Sequence, residues 1–369
     1  MGKASLVLEI HHGFSINPNF PYERIDRISR GLTVMNRYFD AKRIEAEFKK
    51  YAESCYLPFF KELDEGELDF RFSLALTGTF LELASKYAPE LTDRLKSLVK
   101  KGAIELVSTT YYHSIASLSQ FMMKEFLGQV LEHNATLSKL FGVEPKTFMN
   151  TGMIYNDAIG KLLTNRFSHT IVADGSAGIF KPYGGRGPKL LMRHRELSRE
   201  LEERLLHGSF DPERYASKLG AEDGIPILAL DLRELARRGG KASGLIGLAR
   251  QGIDWITASE IDEDGGELSV PEIDTISKYD GSRPWLRNEL QRICFHRLVS
   301  MLPYVMETKE RAVLRIYRLI QDADNFLQMS GPRSLGFFSA YNSIITDFEG
   351  RVAAVAYKAK ARGIGLKAN

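Results

Sequence analysis

The chain has 369 residues, 44% of them hydrophobic. That is ample for one large core, or for a large domain with a smaller one. With 50 Lys and Arg against 47 Asp and Glu, the net charge is only +3. There is no basic block, so nucleic-acid and membrane partners have no support. Cys55 and Cys294 stand alone, in neither metal spacing nor a disulfide framework. The first apolar run, Leu6 to Ile10, is too short for a signal peptide, and no run is long enough to cross a bilayer. A cytoplasmic protein is expected.

In chain order, the β-rich runs are "SLVLEI" (5–10), "DFRFSLAL" (69–76), "AIELV" (103–107), "TFMN" (147–150), "HTIVA" (169–173), "KLLMR" (189–193) and "PILALD" (226–231). Between most of them lie apolar residues at helical spacing, as in "LTDRLKSLVKK", with Leu91, Leu95, Leu98 and Val99 on one face. Strands alternating with helices predict an α/β fold with a parallel sheet. Seven strands suit a (β/α) barrel of incomplete TIM type, spanning residues 1–270. After about Pro271 the strand-like runs cease. Three amphipathic stretches, separated at Pro303 and "SGPRSLG" (330–336), predict a C-terminal three-helix domain over 271–369 that completes the cleft. The acidic "EIDEDGGELS" (260–269) reads as the linker.

In such a barrel the working face lies at the C-terminal ends of the strands. The residues that follow the predicted strands are His11-His12, Thr77-Gly78, "STTYYHS" with Tyr111, Tyr112 and His113, then Asn150-Thr151-Gly152, Asp174, Arg193-His194 and Asp231. Aromatic rings beside carboxylates and imidazoles suit a sugar site, because rings stack on sugar faces and polar groups bond hydroxyls. Plainer readings stand beside this one. Adjacent strand residues point to opposite faces, which argues against His11 and His12 sharing a metal. Tyr111 and Tyr112 could fill the barrel. Asp231 could be a helix N-cap. Trp285 and Asn288 could be ordinary packing of the first C-terminal helix.

Taken together, these segments resemble glycoside hydrolase family 57 of the α-amylase type. "EIHHGF" is similar to the family's first motif, with His11 at the His. "LTGTFLELASKYAPELTDRLKSLVKKGAIELVSTTYYHSIASL" follows the α-amylase-type pattern throughout and puts Glu105 at the second motif. "FMNTGMIYND" resembles the third, where the family has Asn-Thr-Glu and the Glu is the nucleophile. "LALDLRELARRGG" looks like a damaged fourth motif, with Asp231 at the acid/base position. "ISKYDGSRPWLRNELQ" is similar to the fifth, with Asp280, Trp285, Asn288 and Gln291. "QDADNFLQM" (321–329) resembles a further α-amylase-type segment. The resemblance implies a seven-stranded barrel followed by a helical bundle. It implies retaining chemistry on α-glucans, with no cofactor or metal. His11, Glu105, Tyr112, His113, Asp280 and Trp285 are the implied substrate-binding residues.

Retention needs two carboxyl groups about 5–5.5 Å apart. At the implied nucleophile position this chain has Gly152, which cannot attack an anomeric carbon. Arg233 stands where the fourth motif has Glu, and Lys278 where the fifth usually has Trp. "ELSREL" (196–201) has a basic residue for an acid of the family's Leu-Ser-Asp-Asp segment. The leading expectation is therefore an α-amylase-like protein that binds or acts on an α-glucan or related oligosaccharide with hydrolysis impaired or lost, a pseudoenzyme. The alternatives are an active hydrolase or glucanotransferase with a relocated nucleophile (Asp157, Asp174, Glu105 or Asp280), and a structural or regulatory subunit serving an unknown protein partner.

Overall fold

The computed structural model describes residues 2–20, 34–66, 68–173, 178–182, 187–263, 265–272, 274–332 and 334–365. The chain forms two compact units. The first comprises Met1–His12, Glu45–Tyr111 and Leu127–Gly281. The second comprises Gly13–Ile44, Tyr112–Phe126 and Ser282–Asn369.

The first unit holds the strands. β1 (Lys3–Ile10), β2 (Phe72–Leu76), β3 (Ile104–Val107), β4 (Thr147–Met149) and β5 (His169–Val172) are followed by β6 (Gly178–Pro182), β7 (Lys189–Met192), β8 (Ile227–Asp231), β9 (Asp254–Trp255) and β10 (Glu267–Leu268). All seven sequence-predicted runs are strands, each short, apolar and almost wholly buried, as a sheet covered on both faces requires. Pairing is parallel throughout, except that β6 runs antiparallel to β7.

The expected closed barrel does not form. The strands make two sheets, ordered β3-β2-β1-β8 with β9 also on β1, and β10-β6-β7-β5-β4. A bridge between Ser108 and Phe148 links β3 to β4. On the other side, β5 and β6 take both edges of β7, so no edge is left for β8. A hydrogen bond from His194 N to Ile227 O at 2.8 Å crosses there. Even so, Val7, Ala75, Val107, Met149, Ile171, Leu191 and Ala229, one from each predicted strand, pack into a single cluster.

Two further expectations change. The segment 260–269 is more than a linker, because β10 pairs with β6 and Ser269 Oγ and Val270 N bond the Asp157 carboxylate at 2.8 and 3.1 Å. Pro303 lies inside the helix Glu289–Thr308 rather than ending it. The break comes at Lys309, which is left-handed at φ 53°.

The second unit is helical. It contains Glu289–Thr308, Arg311–Ile320, Ala323–Gln328 and Ser334–Gly365. The family-like residues Asn288 and Gln291 build the start of the first of these. Asn288 Oδ1 accepts from Gln291 N at 2.9 Å, and Gln291 Oε1 accepts from Asn288 N at 3.1 Å. This reciprocal cap satisfies two orphan amides. Gln291 Nε2 then donates to Pro284 O and Phe326 O at 2.7 and 2.8 Å, which ties the fifth motif to "QDADNFLQM". No helix among the described residues is long and apolar enough to cross a membrane.

Candidate functional site

Side chains alternate along a strand, so the residue two places beyond a core residue shares its face. Beyond Val7, Leu191 and Ala229 come Glu9, Arg193 and Asp231. These three therefore top the core at the C-terminal ends of β1, β7 and β8. Glu9 and Asp231 are register partners, which puts their backbones about 4.8 Å apart. Glu9 is 8% exposed and Arg193 5%.

Asp231 makes the helix cap that the sequence left open to it. It ends β8, and its Oδ1 caps the helix Leu232–Arg237 by accepting from Glu234 N at 2.9 Å.

Gly152 lies in the turn Thr151–Met153 after β4, at φ 57° and ψ 20°. This is the left-handed region, which glycine adopts at little cost. Asn150 Oδ1 accepts from Thr151 N at 2.9 Å and its Nδ2 donates to Ile154 O at 3.0 Å. The Gly152 carbonyl accepts from Lys278 N at 2.9 Å. Two of the sequence departures thus meet directly. Burial tends to lower the Lys278 ammonium pKa, but Tyr279, Asp231 and Glu9 outweigh it and raise the value, against Arg193. Lys278 Nζ lies 5.6 Å from the Tyr279 ring centroid. Asp280, left-handed at φ 76°, lines with Lys278 and Arg193 an open cleft of about 490 Å³.

Deeper in this unit, His11 Nδ1 lies 3.0 Å from Thr77 Oγ1. His12 is enclosed by Phe48, Tyr51, Tyr56 and Phe80, with ring centroids 5.1–6.4 Å away, and its Nε2 is 3.2 Å from Tyr56 Oη. Burial first, then Arg233 and His11, hold its pKa well below the usual imidazole range. His12 is a neutral core residue, and the field of Arg233 falls on it.

Glu105 precedes the Val107 layer, so it lies toward the opposite end of the strands from Asp231. Its carboxylate accepts from Ser73 Oγ (2.8 Å), Thr147 Oγ1 (2.7 Å) and Ser259 N (3.1 Å). That set is structural and does not reach the strand ends. Asp157 is held by the 269–270 segment, and Asp174 lies outside the described residues.

Tyr112, His113 and Trp285 belong to the second unit. Tyr112 is buried under the Arg318 guanidinium, 6.0 Å from its ring centroid. Arg318 in turn grips Glu125 with two bonds of 2.6 and 2.9 Å. His113 Nδ1 is 3.5 Å from Asp322 Oδ1. Trp285 is 1% exposed, a core residue rather than an open stacking platform. Sequence reasoning missed Glu9, an acid within the otherwise apolar run Leu6–Ile10. That contrast was its signal.

A strand-end acid, a C-terminal helical unit and the motifs in order together define a glycosidase-type class of protein. Residues 5–215 match the pattern of "Glycosyl hydrolase family 57". The chain belongs to that family, one of carbohydrate-active enzymes. It is 28% identical, over 358 aligned positions, to a protein of Methanocaldococcus jannaschii named "Putative alpha-amylase", covering 85% of this chain and 76% of that protein. Among solved structures it is similar to a family 57 branching enzyme of Thermococcus kodakaraensis (TM-score 0.68, 12% identity, 95% and 90% of the two chains). It is also similar to a 4-α-glucanotransferase of Thermococcus litoralis (TM-score 0.66, 14% identity, 93% and 60%). At these identities the structural likeness speaks for the fold alone.

Proposed function

We propose that the protein recognises an α-glucan-type carbohydrate at the C-terminal strand ends and that retaining hydrolysis there is impaired or lost. The observation that carries this reading is the pairing of Gly152 with Lys278. At the position that matches the family's attacking carboxylate, Gly152 offers only a backbone carbonyl, and it accepts from the backbone N of Lys278. The cap made by Asp231 Oδ1 gives the remaining acid a structural duty as well. Family membership and the α-amylase-like relative support the substrate class. The test measures maltooligosaccharide binding by calorimetry beside turnover of an aryl α-maltooligosaccharide. Saturable binding with turnover no greater than that of Asp231→Ala is expected. Robust turnover abolished in Asp231→Ala would overturn the reading.

One observation favours a working enzyme instead. Glu9 is the register partner of Asp231, so a second acid is carried on the neighbouring strand at the same level, and a retaining pair needs its two carboxyl groups about 5–5.5 Å apart. In that case the unmodified chain turns over substrate, and Glu9→Gln and Asp231→Asn each abolish it.

A further inference from the structure

The open cleft beside Asp231 is far more basic than the net charge of the chain would suggest. Arg193, Arg195, Arg199, Arg238 and Lys278 line it. Against these five cations the lining holds three acids, Glu202, Glu203 and Asp280, an excess of two positive charges. Two of the acids are engaged at the mouth. Arg199 Nε bonds Glu203 at 2.9 Å, and Arg238 lies 3.5 Å from Glu202. Exposed pairs of this kind contribute little and are readily exchanged for a better anion. The cleft also meets the first turn of the 13-residue helix Arg195–His207, whose amino end adds partial positive charge. A volume of about 490 Å³ falls within the range of small-ligand sites.

Two of the positions that depart from the family's pattern, Lys278 and Arg199, converge on this one cleft. In both, a cation stands where the pattern has no positive charge.

We infer that this cleft binds the phosphate group of a phosphorylated sugar, with the sugar ring directed toward Asp231. The inference rests on the carbohydrate reading for its sugar moiety and on the cleft itself for its phosphate. A phosphate monoester carries close to two negative charges at neutral pH, and guanidinium groups bind its oxygens in bidentate pairs. A sugar carboxylate offers one charge and two oxygens, and it satisfies the cleft less well.

The full chain is titrated by calorimetry at low ionic strength with glucose 1-phosphate, inorganic phosphate, glucuronate and maltose. Glucose 1-phosphate is expected to bind at least tenfold tighter than each of the other three and to weaken as salt is added. The double variant Arg195→Ala/Arg199→Ala, which changes two exposed side chains, should lose that preference. Arg238→Ala should weaken it several-fold. Circular dichroism checks that each variant is folded. Equal binding of glucose 1-phosphate and inorganic phosphate would overturn the sugar half of the inference. Equal binding of glucuronate would overturn the preference for phosphate. Binding of maltose as tight as that of glucose 1-phosphate, unchanged in the variants, would overturn the inference and leave the carbohydrate reading standing.

Discussion

Restoring a carboxylate at position 152 tests the vacated-nucleophile reading directly, and the structure says why Gly152→Glu alone should disappoint. Gly152 sits at φ 57°. A side chain there costs about 1–2 kcal/mol in the left-handed region, or roughly 2–4 °C of Tm per kcal/mol for a unit of this size. The new carboxylate would also face Lys278, whose backbone N already bonds the Gly152 carbonyl. Two unit charges 4 Å apart attract by about 4 kcal/mol at an effective dielectric of 20. A glutamate held that way is ionised but tied to an ammonium, and it must leave that pair to attack. Lys278→Met removes the charge and leaves the backbone bond intact. We therefore expect Gly152→Glu to raise turnover of an aryl α-maltooligosaccharide little, and Gly152→Glu/Lys278→Met to exceed it by tenfold or more, a difference of about 1.4 kcal/mol in barrier. Both variants should melt lower than the parent. If the single variant matches the double, Lys278 does not govern the site. If the double variant stays inactive although it binds maltooligosaccharide, Asp231 is no longer a working acid.

The remaining expectations concern the framework. His133 is buried. It lies with Nε2 2.6 Å from Leu76 O and accepts from Thr109 N through Nδ1 at 3.1 Å, and burial lowers its pKa from 6.5 to about 4. The unfolded chain takes up that proton first, so stability should hold above pH 6.5 and fall by about 3 kcal/mol as pH drops to 4. Urea midpoints across that window check this, and His133→Leu, though less stable, should lack this share of the slope. Gln291→Ala removes one half of the reciprocal cap and leaves two backbone carbonyls without their donor, for a loss of about 2–4 kcal/mol, read by urea denaturation. A Cβ on Gly78 would meet the Tyr111 ring at 2.2 Å, and that ring is pinned by its hydroxyl to Glu82 at 2.7 Å. Gly78→Ala should therefore cost roughly 1–3 kcal/mol and add almost nothing in a Tyr111→Ala background, which a double-mutant cycle would show.

The strands were legible because each is a short, buried, apolar run that only a covered parallel sheet explains. Their closure was not. Whether β7 pairs onward with β8 depends on β6, which pairs antiparallel with an edge of β7 and has no alternating pattern of its own in the sequence. Asp231 was legible as a strand-end acid and as a cap, and it is both. The surroundings of Glu105 and Trp285 were not legible, for a common reason. Motif position places a residue along the chain but not at a depth in the fold. Glu105 comes before the core layer of its strand, where Ser73 and Thr147 absorb its charge, and Trp285 is large enough that the second unit uses it as core. Pro303 failed as a helix stop because a proline need not end a helix whose packing carries it through that turn. Glu9 escaped notice because strand pairing, which sets it beside Asp231, is not written in local sequence.

The departures from the family's pattern have one physical direction. On the motif correspondence proposed here, Glu to Gly at 152 removes a negative charge and Trp to Lys at 278 adds a positive one near Asp231, and Arg199 adds another along the cleft wall. Retaining glycosidases pass through a transition state with positive charge on the sugar ring. Every added cation within electrostatic reach opposes that charge, and a missing carboxylate no longer offsets it. The same change favours a ligand that is itself negative. On the readings proposed above, loss of hydrolysis and gain of an anion site would be two consequences of one shift in local charge. They should move together, so that Lys278→Met weakens glucose 1-phosphate binding while improving whatever turnover Gly152→Glu restores. A variant that changed one without the other would separate the cleft from the strand-end site and leave each to be explained alone.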